Sequence, residues 1–166
     1  MTRPAQFRPD LGGENPHVSG VSVERLLRLP VRVRGIQVGK PIDLILDRER
    51  SRALGLEILC GDDERRFLPF AVVRGLEEAI EVRSPLVLLE EAELAFYTDR
   101  GSTFASLRGR PVSDSGGEAG RLVDLELGPD GAIRSVLVET AEGQRALAFG
   151  PRVVLGGGGR NVRAAS

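Results

Sequence analysis

The sequence repeats itself, and that limits what it can fold into more than any other feature. Residues 107–127 read LRGRPVSDSGGEAGRLVDLEL, and residues 26–46 return the same pattern at an offset of 81 residues with no gap. Leu26, Pro30, Val31, Gly35, Gly39, Asp43, Leu44 and Leu46 answer to Leu107, Pro111, Val112, Gly116, Gly120, Asp124, Leu125 and Leu127. Within the pattern, paired glycines mark a turn, and an alternating run follows in which Leu125 and Leu127 flank Glu126. Alternation at period two reads as a half-buried strand, and glycine between two such runs reads as a hairpin. The chain is therefore two copies of one small β module.

Taken in order, residues 1–20 carry Pro4, Pro9, Pro16 and several glycines but few apolar side chains, which predicts a disordered lead-in. The first copy covers 21–90. Strands are expected over 26–34, 38–46, 54–60, 65–70 and 79–83, with a short edge strand over 86–89 and a hairpin turn at Gly61-Asp62-Asp63. Residues 91–102 form a helical linker, on the spacing of Ala92, Ala95 and Phe96, with Phe96 and Tyr97 as its anchors. The second copy covers 103–156, with strands over 111–113, 121–127, 133–140, 144–149 and 153–155. Residues 157–166 read as a flexible tail. Short strands at regular spacing make the fold class all-β.

Composition excludes several functions. The hydrophobic share, 41%, supports a core, and 23 cationic against 24 anionic residues leave a net charge of −1. No global attraction to nucleic acid or anionic lipid follows from that balance. Cys60 is the single cysteine, so an intrachain disulfide is impossible, and its apolar neighbours Leu56, Ile58 and Leu59 mark it as a small buried hydrophobe. The first residues lack the apolar stretch of a signal peptide, and no apolar run approaches membrane-spanning length. The expectation is a soluble, cytoplasmic protein with no membrane span.

The repeated text resembles the PRC-barrel family, which is named for the cytoplasmic domain of the photosynthetic reaction-centre H subunit and includes the C-terminal domain of a ribosome maturation factor. The second copy supplies Leu107, Gly109, Pro111, Val112, Gly116, Gly120, Arg121, Val123, Asp124 and Leu125 of that pattern. The first supplies Pro30, Val31, Gly35, Gly39, Lys40, Ile42, Asp43 and Leu44, followed by Leu68-Pro69-Phe70. Leu29 stands where the pattern has glycine, and Leu147-Ala148-Phe149 stands where it has Leu-Pro-Phe. The resemblance implies two small PRC-like β-barrels in tandem, joined by the short helix. It implies interaction or scaffold modules and brings no catalytic residues with it.

The chemistry-bearing features are few. His17, the single histidine, lies in the lead-in, without the partners that a general base or metal ligand needs. The run Gly156 to Gly159 lacks the following helix that a phosphate loop requires. Asp43 and Asp124 recur at one place in the repeat and read as turn caps or partners of strand arginines. Asp62, Asp63 and Glu64 lack calcium-loop spacing and read as a solvated hairpin tip. The most distinctive charge feature is a basic stripe of Arg25, Arg28, Arg32, Arg34 and Lys40, with no acid between Arg25 and Lys40. Arg32 and Arg34 share a strand face opposite Val31 and Val33. The stripe could meet RNA phosphates or an acidic partner. Cross-strand pairing with Asp43, Asp47 and Glu49 is the preferred reading.

The functional expectation is a non-catalytic interaction or scaffold module, with no catalytic residue, no cofactor and no metal. It binds a protein partner or associates with itself as a homodimer. Residues Arg28, Arg32, Arg34 and Lys40 are the candidate partner-binding set. The alternative is an adaptor in RNA processing or ribosome maturation, disfavoured because the chain has no tryptophan and one tyrosine to stack bases.

Overall fold

The computed structural model describes residues 20–73 and 76–156. Apart from Gly20, the expected N-terminal tail lies outside the described residues, His17 included. The expected tail at 157–166, with most of the glycine run, also lies outside them. Strands hold 51% of the residues and helices 18%, so the architecture is mostly β and is arranged as two sheets. No closed barrel is formed among the described residues. By compactness the described residues divide into two units, Val23–Ser106 and a second that joins 107–156 to 20–22.

The first strand, β1 (Val21–Ser22), runs straight into a single helical turn, α1 (Val23–Leu26). Then come β2 (Val31–Val33), β3 (Ile36–Leu46), β4 (Ala53–Cys60), β5 (Arg65–Pro69) and β6 (Ile80–Val82). Helix α2 (Glu91–Arg100), β7 (Ser102–Thr103) and α3 (Phe104–Leu107) follow. The N-terminal unit's sheet has the order β5-β4-β3-β2-β6, with β7 paired to the far end of β3. Leu44, Leu46, Leu56, Ile58 and Leu68 are fully buried. Alternation turns Ile45 and Phe67 to the opposite face, where Leu94 of α2 covers them. That second covered face explains why Leu44-Ile45-Leu46 is continuously apolar.

Helix α2 docks through Leu94 and Tyr97, three residues apart and so on one face. The Tyr97 ring stacks on Phe67 with centroids 4.4 Å apart and planes 13° from parallel. Phe96, expected as a second anchor, points away: it is 47% exposed, and its ring carries the Arg100 guanidinium at 3.9 Å. The edge strand expected over 86–89 is instead a 3-10 turn, Pro85–Val87, followed by a single bridge between Leu89 and Phe67.

The C-terminal unit contains β8 (Pro111–Asp114), β9 (Gly117–Leu127), β10 (Ile133–Thr140), β11 (Gly143–Ala148) and β12 (Val153–Leu155). Its order is β11-β10-β9-β8-β12, and β1 pairs with the end of β9. Val21 lies opposite Leu127, and Ser102 lies opposite Leu46, at equivalent places in the repeat. Each unit's long strand is thus completed by the leading strand of the other sequence copy.

The repeated residues have local physical reasons. Arg34 and Gly35 (φ 52° and 82°), like Ser115 and Gly116 (φ 56° and 90°), make two-residue hairpins with both central φ positive, the turn that matches strand twist. Gly39 and Gly120 sit where a Cβ would lie 2.7 Å from the Leu59 carbonyl and 2.8 Å from the Glu139 carbonyl, so the neighbouring strand leaves room for glycine alone. Next comes a bulge: the register skips Ile42 on β3 and Val123 on β9. Asp43 and Asp124 follow it, and each takes the next amide on its own Oδ1, with Leu44 N and Leu125 N both at 2.8 Å. The repeated aspartate therefore satisfies backbone at a ladder break. Asp43 also accepts from Ala105 N at 3.0 Å, and burial raises its carboxyl pKa against the lowering effect of these bonds.

The copies part at two places. Where the first has Ile45 under α2, the second has Glu126, 8% exposed, with Ser135 Oγ donating to its Oε1 at 3.0 Å. Burial pushes the Glu126 carboxyl pKa up. The last strand also reverses. In the N-terminal unit β6 runs parallel to β2, whereas β12 runs antiparallel to β8.

Candidate interaction groove

Reversal of that last strand leads the chain past an open concavity of the N-terminal unit. A parallel β6 needs a crossover. The chain makes it through the 3-10 turn Phe70–Val72 and returns beside β2, with Ile80 N donating to Pro30 O at 2.7 Å. Arg25 steadies the return by donating from Nη2 to Glu77 O at 2.7 Å. Because Val82 lies in register with Val33, the residues after β6 emerge beside the β2–β3 hairpin tip.

Ser84 then stops the strand. Its Oγ accepts from Leu86 N at 3.1 Å and caps the 3-10 turn, and Pro85 supplies a fixed φ at the first position. The chain next seals the edge of β5, where Phe67 N donates to Leu89 O at 2.9 Å and Leu89 N donates to Phe67 O at 2.8 Å. Glu90 follows, and its carbonyl accepts from Glu93 N and Leu94 N to start α2. Between this wall and β3 lies an open groove of about 880 Å³. Val38, Leu86, Leu88 and Ala92 give it apolar walls, while Glu90 and Glu93 sit on its rim. Leu86 is 87% exposed, more than any other large apolar side chain among those described.

The floor is polar at one end. Arg66 binds Asp62 through two bonds of 3.0 Å each. The Arg66 guanidinium holds the Asp62 carboxyl below the usual carboxylate range, and Asp62 in turn raises Arg66. Cys60 lies beside them with its side chain buried. Among the described residues no group of histidine, cysteine, aspartate and glutamate is placed to hold a metal ion. Asp62 is committed to Arg66 and to Glu64 N.

The basic set is not brought together as one stripe. Arg28 lies in the loop after α1, its guanidinium 3.6 Å from Glu24 with a side chain 76% exposed, a pairing worth little. Arg32 is central in β2, in register with Gln37 on one side and Glu81 on the other. Arg34 is in the hairpin turn rather than on the strand face, because the turn needs its positive φ. Lys40 lies on β3 opposite Leu59. The expected pairing with Asp43, Asp47 and Glu49 does not form among the described residues, and Glu49 stands exposed in the β3–β4 turn. Asp43 is occupied by backbone amides, and Asp47 closes the β3–β4 turn by accepting from Ser51 N at 2.8 Å. Nearby amides reach these carboxylates before a long arginine does.

Compared with models of known protein families and with curated proteins, the sequence matches none. The resemblance to PRC barrels therefore rests on the repeated residues themselves. No helix among the described residues is long and apolar enough to cross a membrane. The groove escaped sequence reasoning because PLVLL at 85–89 looks like a strand. The Ser84-Pro85 pair, a cap followed by a helix-first-turn proline, is the signal that could have found it.

Proposed function

We propose that the two units are PRC-like barrels in tandem, and that the chain is a non-catalytic interaction module whose binding surface is the groove of the N-terminal unit. The observation that carries this is the combination of Leu86, exposed to 87%, with an apolar-walled groove and an acidic rim. An exposed apolar side chain that continues into an apolar-walled groove with a polar rim makes the kind of patch that marks an interaction site. Support for the barrel relationship comes from the shared strand order of the two sheets and the shared hairpin, glycine and bulge positions. Support for a non-catalytic role comes from Asp43, Asp62 and Glu126, whose carboxylates serve backbone amides, Arg66 and Ser135.

A second reading, an adaptor in RNA processing or ribosome maturation, draws on Arg34 and Lys40, both exposed and without an acidic partner among the described residues. The glutamates of the groove rim oppose phosphate there. Recovery of partners by the full chain from its native lysate, with and without RNase and at low and high salt, separates the two. Salt-resistant, RNase-resistant recovery that is lost in Leu86→Ser supports the groove. Recovery lost to RNase and to salt, and insensitive to Leu86→Ser, supports RNA instead.

A further inference from the structure

Resting on the reading of the groove as an interaction surface, we propose that its occupant is a second copy of this chain, the hairpin tip of each copy entering the groove of the other in a two-fold homodimer. The tip carries one exposed apolar knob, Ile36, at 69%. Beside it stand two exposed cations: Arg34 in the turn, and Arg83, one residue beyond the Val33–Val82 register pair. The groove presents the complement. Its walls are apolar at Val38, Leu86 and Leu88, and its rim carries two exposed anions, Glu90 and Glu93.

The two halves are contiguous, since Ile36 precedes Gln37 and Val38, which line the groove. A patch that holds both knob and hole, and both signs of charge, is self-complementary. A two-fold axis satisfies both halves at once, because residue i of one copy meets residue j of the other and the reverse. Nucleic acid and anionic lipid do not fit, because Glu90 and Glu93 repel both. In the C-terminal unit β12 instead runs antiparallel to β8 and ends alongside Val112, at the end of β8 remote from its hairpin turn.

Sedimentation velocity of the full chain over a concentration series tests this, with Arg34→Asp, Glu93→Lys, the double variant and Leu86→Arg. Aspartate tolerates the left-handed backbone at position 34, and lysine is a good helix former at 93. The expected result is a concentration-dependent dimer. Each single charge reversal weakens it by roughly tenfold or more, since the axis counts each pair twice and reversal turns attraction into repulsion. The double variant recovers most of the loss, and Leu86→Arg abolishes dimerisation. A wild-type chain that stays monomeric at the highest attainable concentration overturns the second copy as occupant while leaving the groove open to another protein. A dimer indifferent to all four variants places self-association elsewhere and likewise overturns the second copy as occupant, while the groove itself stands or falls on the lysate recovery with Leu86→Ser.

Discussion

Truncating Tyr97 to alanine separates two accounts of how α2 is held, and α2 carries one wall of the groove. Tyr97 is half-buried and stacked on Phe67, which is 1% exposed. Removing the ring gives up about 1 kcal/mol of apolar burial and about 0.5–1.5 kcal/mol of stacking. Alanine returns roughly 0.5 kcal/mol of helix propensity, so the net loss comes to about 1.5 kcal/mol. Phe96→Ala gives up an exposed contact with Arg100, worth about 0.5 kcal/mol, and an edge contact with the Tyr97 ring at 5.1 Å, worth about 0.5 kcal/mol. It regains the same propensity, so its net loss is about 0.5 kcal/mol, well below that of Tyr97→Ala. Urea unfolding followed by circular dichroism reads both, as midpoint shifts at constant slope. Tyr97 is the single tyrosine and there is no tryptophan, so in the wild type and in Phe96→Ala fluorescence reports α2 directly. Equal losses for the two variants, or a larger one for Phe96→Ala, would refute docking through the Leu94–Tyr97 face.

Gly39→Ala and Gly120→Ala should each cost about 1–3 kcal/mol by overpacking, measured by the same unfolding. Gly120 should be the worse because its φ is +146°. Asp43→Ala strands two backbone amides and should cost about 1–3 kcal/mol, whereas Asp43→Asn keeps an acceptor and should lose much less in thermal unfolding. Glu126→Gln should stabilise at neutral pH. A raised carboxyl pKa means that the folded state holds its proton more tightly than the unfolded state, so ionisation above that pKa is a penalty that glutamine removes. The advantage should shrink as pH falls through the folded pKa towards the ordinary carboxylate value, and an advantage that grew in acid would contradict the reasoning.

Much of the fold is legible in the sequence because its signals are local. The alternating runs and glycine turns place β3, β4, β9 and β10, and the strand expected over 153–155 coincides with β12. What escapes has no local signal. Strands β1 and β7 are two residues each, too short to show a period, and their partners lie on the other sequence copy. The direction of β6 is set by the length of the crossover before it, while the strand itself, Ile-Glu-Val, reads the same either way. Arg34 illustrates a competition: its alternation with Arg32 predicts a strand face, yet Gly35 beside it demands a turn of two positive φ values, and the turn wins. The groove depends on the parallel course of β6, on the β2–β3 hairpin and on a serine cap, so it is visible only once the chain is folded.

Hydrogen exchange read by mass spectrometry on the full chain, free and in its bound state, tests the groove most directly. Binding at the groove should slow exchange in the peptides covering 36–38 and 85–93, where Leu86 and the rim glutamates lie. Exchange at β11, the exposed edge of the other sheet, should stay unchanged. Protection confined to β11, with 36–38 and 85–93 exchanging as in the free chain, would contradict the account.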